Sequence, residues 1–329
     1  MSTIEQIEAG PASSGPGKTG SGKTGRSSVT LRETLEFGAV WLFVNLLRVL
    51  PRRVARAFGA AVGRLAYAVL SRLRGVGMRN LELAFPEKSV AEREKILHVV
   101  YRNLGWLLAE FCQMPRYTPE QASRFIRYEG LENYQRARDK GQGVLILTGH
   151  LGAWELSSFY HSLMGMPMGM VIRRLDNPLV DAYVNRIRCL HGNRVIHKDD
   201  FARGLIASMR AGETVGILMD TNMTPPQGVF VPFFGVLACA ASGLARVAQK
   251  TGAAVVPGFL LWDEQAQRYV LRFGEEIAMA NAGNAEEDAM TNTAIFTAVL
   301  ERYIRQHPEQ WLWMHRRWKT RPTGEAGIY

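Results

Sequence analysis

The sequence predicts an α/β fold, with a mainly parallel central sheet flanked by helices and a hydrophobic helical segment ahead of it. Three observations lead there. Between Gly143 and Asp220, short apolar runs of β type (GVLILTG, GMVIR, RVI, TVGILMD) alternate with helical stretches, the pattern of βαβ units around a parallel sheet. Two more β-type runs, AAVVPGFLLW and RYVLRFG, follow, and before all of these the stretch FGAVWLFVNLLRVL, Phe37 to Leu50, is nearly all apolar. Hydrophobic residues make up 47% of the 329, enough for a sizeable core, so a disordered protein is excluded.

Taken in order, residues 1–30 read as a disordered tail rich in Gly, Ser and Thr. The apolar run that follows is interrupted by Asn45 and Arg48 and stopped by Pro51-Arg52-Arg53. It is shorter than the ~20 residues that comfortably span a bilayer. A secretory signal is not expected, given the distance from Met1 and the arginines, without a small-residue cleavage site, behind it. The next stretch, Val54 to Arg74, spaces Arg56, Arg64, Arg72 and Arg74 among small and apolar residues, as in a helix lying in a membrane interface. Packing of both helices on the domain is the alternative. Residues 31–88 are therefore expected to be membrane-associating helices, and residues 89–329 one α/β domain. Val90 to Cys112 has helical spacing, and another helix is expected around Pro119 to Arg127. Between the strands, LGAWELSSFYHSL, PLVDAYVNRIRCL and DDFARGLIASMR read as helices; ASGLARVAQKTG precedes the last two strands, and a final helix runs from about Asn284 to Gln306.

The formal charge is +10, and from Arg32 to Arg79 nine arginines stand against Glu33 and Glu36. A second basic cluster holds Arg316, Arg317, Lys319 and Arg321. Such a balance suits anionic membrane lipids or an acidic protein partner. Nucleic acid is not expected as a partner, because no recognised module carries aromatics among the basic residues. Cys112, Cys189 and Cys239 are widely spaced and form neither a disulfide framework nor a zinc pattern, which points to a reducing compartment. Gly17 to Thr24, GKTGSGKT, fits G-x-x-x-x-G-K-[ST], yet a phosphate loop needs a strand before it and a helix after it. AGPASSGP has no strand pattern and Gly25 follows where a helix would begin, so a tail is preferred to a P-loop NTPase. VGILMD, ending in Asp220, nevertheless supplies the aspartate such a hydrolase would need.

The chemistry is expected in GVLILTGHLGAWELS. Val144 to Leu147 should be a buried strand, and Gly149 a sharp turn that brings His150 out at the strand's carboxyl end, where α/β folds place their ligands. Glu155 then falls in the first turn of the following helix, where it can meet His150. A carboxylate on one imidazole nitrogen fixes the tautomer and leaves the other nitrogen to take a proton. With no GxSxG elbow, the attacking group is expected to be a substrate hydroxyl. One histidine and one glutamate give too few ligands for a metal, and no cofactor is expected.

The string GHLGAWEL, with VIRRLDNPLVD, ILMDTNMTPPQGVFVPFFG, GLARVAQKTGAAVVP and HPEQWLWMHRRWKTRP in the same order, closely resembles the late acyltransferases of lipid A biosynthesis, of lauroyl/myristoyl type. They lie within the wider glycerolipid acyltransferase group, which shares H-x-x-x-x-[DE]. The resemblance runs from about Leu31 to Pro322 and implies transfer of a fatty acyl chain from an acyl carrier protein or CoA thioester, as co-substrate, to a hydroxyl of a glycolipid. The expected acceptor is a lipid A precursor at the cytoplasmic face of the bacterial inner membrane; a mannosyl-inositol lipid is the alternative. The resemblance implies His150 as base with Glu155 as its partner, and Arg173, Asp220, Asn222 and Arg316 as substrate-binding residues. For Arg173, a guanidinium able to grip phosphate or steady an oxyanion, a salt bridge to Asp176 or Asp181 is the structural alternative. Trp311, Trp313 and Trp318 are read as a terminus in mixed scaffold and membrane contact. Where the family has threonine-rich positions, this chain has Cys239-Ala240-Ala241-Ser242.

Overall fold

The computed structural model describes residues 29–197 and 201–329, so Gly17 to Thr24 lies outside the described residues. Thr30 and Glu33 form a reciprocal capping box that starts α1 (Leu31–Val49), and Pro51 separates it from α2 (Arg52–Val69). The stretch read as one helix to Arg74 is two, because the chain bends by 88° at Leu70 into α3 (Ser71–Ala84). Arg74 Nη1 turns back to the Tyr67 carbonyl at 2.6 Å, satisfying a helix-end acceptor that the bend exposes. A second capping box, Ser89 with Glu92, opens α4 (Val90–Gln113).

No single helix among the described residues is long and apolar enough to cross a membrane, though the bent pair α2 and α3 together meets that length and composition. One face of α2 is built for close approach: a Cβ at Gly59 would strike the carbonyl of Gly105 in α4, and one at Gly63 the carbonyl of Tyr101. Arg52 and Arg56 flank the same contact. Arg52 Nη2 meets the buried Glu110 at 2.6 Å, and the Arg56 guanidinium lies 4.1 Å from the Trp106 ring and 4.2 Å from that of Trp262. Arg56 therefore belongs to the interior, a correction to its reading as an interface arginine. The opposite faces remain apolar and exposed: Leu31, Leu35, Leu42, Leu46 and Val49 on α1, and Val54, Phe58, Leu65 and Val69 on α2.

After α4 come α5 (Pro119–Ser123), β1 (Ile126–Glu129) and α6 (Leu131–Asp139). The helix expected to reach Arg127 stops at Ser123, because Tyr269 N–H binds the Phe125 carbonyl at 2.8 Å and draws the next residues into the sheet. Then β2 (Val144–Thr148), α7 (Trp154–Leu163), β3 (Gly169–Ile172), α8 (Pro178–Arg188), β4 (Arg194–His197), α9 (Phe201–Arg210) and β5 (Thr214–Leu218) alternate as expected. A two-stranded hairpin, β6 (Gly228–Phe233) and β7 (Val236–Ala241), precedes α10 (Gly243–Thr251), β8 (Ala254–Asp263), β9 (Arg268–Phe273) and α11 (Ala285–Gln306). Sequence reading finds neither β1 nor this hairpin.

The sheet has seven strands in the order β1-β9-β8-β2-β5-β3-β4. All pairs are parallel except β8 with β9. The mainly parallel sheet flanked by helices is thus observed. At its centre, β2 lies between β8 and β5 with Val144, Leu145 and Leu147 fully buried, so whatever follows β2 emerges over the middle of the sheet. Val44, Leu47 and Ala55 of the first two helices share a core cluster with Leu156, Phe159 and Leu260.

Candidate active site

His150 lies two residues beyond β2, and Asp220 two residues beyond its neighbour β5, so parallel pairing brings them to one sheet edge. Met219 N–H donates to the Thr148 carbonyl at 2.9 Å and carries that register one step further. The Asp220 carboxylate then receives three donors: the His150 backbone N–H at 2.7 Å, His150 Nδ1–H at 2.9 Å and the Trp311 indole N–H at 2.8 Å. Its residue is only 2% exposed, and its pKa is held down to about 2; burial works against this, and the charge and hydrogen bonds of His150 and the bond from Trp311 outweigh it. With Nδ1–H committed to Asp220, Nε2 of His150 carries the free lone pair. The His150 side chain remains 22% exposed. Burial depresses the imidazole pKa, but Asp220 and, through space, Glu155 raise it, and the net position is above the ordinary value.

The expected contact between His150 and Glu155 is not the one formed. Glu155 does stand in the first turn of α7, as read, but its carboxylate takes a two-pronged bond from Arg188 at the end of α8, Nε to Oε2 at 2.8 Å and Nη2 to Oε1. The cause is the turn between them. Gly152, at φ +68°, donates to the Gln310 carbonyl, and Ala153 N–H to the Leu260 carbonyl at 2.8 Å, which together set where α7 begins. Glu155 is thereby directed to α8 and the His150 ring to β5. Gly149 has an ordinary backbone; its service is space, since a Cβ there would sit 3.1 Å from Asp220 Cγ.

A C-terminal strap completes the site. Trp311 bridges Leu151 in antiparallel fashion, and Leu312 N–H donates to the His150 carbonyl at 3.0 Å. Trp311, Trp313 and Trp318 are all buried to within 1%, so of their mixed reading the scaffold part holds and the membrane contact is corrected: they form the interior, with Phe233 and Phe234 of the β6–β7 hairpin packed among them. Arg317 is buried as well, donating to the Cys239 carbonyl at 2.8 Å. Burial lowers its pKa to about 10.

The other expected site residues are distributed differently. Asp220, expected to bind substrate, instead holds His150. Asn222 is a tie within the protein: its backbone N–H meets His315 Nε2 at 2.8 Å, and its side chain donates to Thr320 Oγ1 at 2.9 Å and accepts from Thr320 N–H at 3.0 Å. Arg173 is exposed and reaches Asp176 at 3.5 Å, the structural alternative noted above. Arg316 is half-buried beside Arg72 at the rim of a pocket. Trp311 and His315, near the Asp220–His150 pair, and Arg188, which holds Glu155, have no local signal in the sequence that marks them as parts of the site. Cys239 and Ala240, at the departure from threonine-rich positions, are buried strand residues of β7.

Comparison with known proteins gives this geometry a family. A family model for bacterial lipid A biosynthesis acyltransferases matches residues 25–320. The chain is 30% identical over 295 residues to the lipid A biosynthesis palmitoleoyltransferase of Escherichia coli, covering 89% of this chain and 92% of that protein. It is 30% identical over 296 residues to the lipid A biosynthesis lauroyltransferase of the same organism, covering 90% and 94%. To the lipid A biosynthesis myristoyltransferase it is 26% identical over 270 residues, 82% of each chain. A phosphate loop's aspartate is not needed to explain Asp220, whose carboxylate is fully engaged by His150 and Trp311. The chain belongs to the bacterial lipid A biosynthesis acyltransferase family and is an acyltransferase.

Proposed function

We propose that this enzyme transfers a fatty acyl chain from an acyl thioester, on acyl carrier protein or CoA, to a hydroxyl of a lipid A precursor, with His150 as general base. The observation that carries this is the Asp220–His150 pair, which leaves Nε2 as the proton acceptor at the sheet edge. His150 Nε2 takes the proton of the acceptor hydroxyl as its oxygen attacks the thioester carbonyl. The new C–O bond forms, the tetrahedral oxyanion collapses, the C–S bond breaks, and the imidazolium returns the proton to the departing thiolate. Asp220 stabilises the imidazolium formed meanwhile. The N–H groups of Trp154, Glu155 and Leu156, in the first turn of α7, have no acceptor among the described residues and are suited to the oxyanion. Glu155 acts on His150 through its charge rather than by contact, held in place by Arg188.

The exposed apolar faces of α1 and α2 support a position on a membrane surface, with the basic residues between them toward anionic headgroups. The inner membrane's cytoplasmic face is the location this reading adopts. Mass spectrometry of the product tests the proposal, with the purified enzyme offered acyl carrier protein and CoA thioesters and a lipid A precursor. An acylated precursor is expected from the native protein and none from His150→Ala, which should still bind vesicles. Undiminished transfer by His150→Ala refutes the mechanism.

A further inference from the structure

Beyond the dyad, the C-terminal strap leads to a pocket of about 260 Å³ lined by Arg72, Leu73, Val76, Met314 and Arg316. Its walls are apolar, and its only charged lining groups are two guanidinium groups. Neither Arg72 nor Arg316 has a carboxylate partner among the described residues; Arg316 has the Tyr329 ring at 5.8 Å. Two cations converging on one small pocket repel each other unless an anion lies between them. A carboxylate is satisfied by one arginine fork, whereas a phosphate monoester presents three oxygens and up to two charges, enough for both.

The setting narrows the anion further. Leu73 is 42% exposed and continues the apolar surface of Val69 and Leu70, so the pocket opens where acyl chains would lie. On its other side, Met314 and Arg316 flank His315, whose Nε2 binds the Asn222 N–H, and the same strap holds the His150 carbonyl through Leu312. A ligand anchored here by phosphate would lie against the strap that also contacts His150, with its chains toward the exposed apolar surface.

We infer that Arg72 and Arg316 form a subsite for a phosphate monoester on the acceptor glycolipid, and so select which hydroxyl reaches His150. This rests on the acceptor being a glycolipid, as proposed above, and the test separates the two ideas. The full-length enzyme, Arg72→Gln, Arg316→Gln and the double variant are assayed with a phosphorylated acceptor and with the same acceptor after phosphatase treatment. Native enzyme should prefer the phosphorylated acceptor, and each substitution should cut that preference by about ten- to a hundredfold in kcat/KM, mainly through KM. Arg72→Lys, which keeps the charge, should recover part of it, and unchanged thermal melting excludes misfolding. Equal preference in native and double-variant enzymes overturns the inference while leaving the acyltransferase reading intact. A loss confined to binding of phosphatidylglycerol vesicles, with the preference retained, would assign the pocket to bulk phospholipid and also overturn it. Absence of transfer to either acceptor by the native enzyme would instead sink the underlying reading.

Discussion

Asp220→Asn isolates what the buried carboxylate does. The side chain keeps its shape but loses one acceptor oxygen, while three donors still point at it from 2.7, 2.8 and 2.9 Å. Two of them, the His150 backbone N–H and the Trp311 indole, converge on Oδ2, so the amide oxygen is expected to stay there and the NH2 group to face His150 Nδ1. That forces Nδ1 to accept and moves the imidazole proton to Nε2, the atom proposed to act as base. Loss of general-base action costs on the order of 10²–10⁴-fold, and kcat should fall by that range. Loss of a charge-assisted bond at a 2% exposed site should lower stability by about 1.5–3 kcal/mol. The pH dependence gives a second readout. Native kcat/KM should fall on the acid side through a value above the ordinary histidine 6.5, because Asp220 raises the His150 pKa; in the variant burial acts without that charge, and any residual acid limb moves lower. A raised pKa adds stability that is complete below 6.5 and fades as pH rises through the folded value, so the melting gap between the two proteins should be wider at about pH 5 than about pH 8. The assay is acyl transfer at saturating thioester beside thermal melts at both pH values. A kcat within about threefold of native would refute the tautomer reasoning.

Three other expectations follow from single contacts. Arg188→Ala leaves Glu155 without its fork partner at a side chain only 20% exposed, and should cost about 1–3 kcal/mol in chemical denaturation together with transfer activity. A variant of native stability and rate would show that the pair is incidental. Gly59→Ala drives a methyl group into the Gly105 carbonyl and should lower stability by about 1–3 kcal/mol as α2 separates from α4; a native melting temperature would contradict the close approach. Leu42→Asp with Phe58→Asp, at positions 64% and 43% exposed, should leave folding intact and reduce sedimentation with anionic vesicles. Unchanged sedimentation would remove these faces from the membrane contact.

Much of the fold is legible in the chain because its signals are local. The β2 to β5 alternation reads directly, since each buried parallel strand is a short apolar run and each covering helix has its own periodicity. The hairpin is not legible: GVFVPFFG and VLACAA carry little polar alternation, and Phe233, Phe234 and Ala238 are buried in one cluster with Trp311, Trp313 and Trp318, which lie far along the chain. Short β1 escapes for a related reason, being specified mainly by pairing with β9. At the site, His150 stands out by its place after a buried strand, and Asp220 by ending another.

What the sequence by itself determined is which residues reach the sheet edge: His150 after β2, Asp220 after β5 and Glu155 at the start of α7, each set by runs a few residues long. Which carboxylate His150 binds was decided only by the tertiary structure. Parallel pairing of β2 with β5 puts Asp220 against the imidazole from 70 residues away, and docking of α8 gives Glu155 to Arg188 across 33. Hydrogen-bond partners are chosen by distance and direction in space, and closeness along the chain made Glu155 available without aiming it.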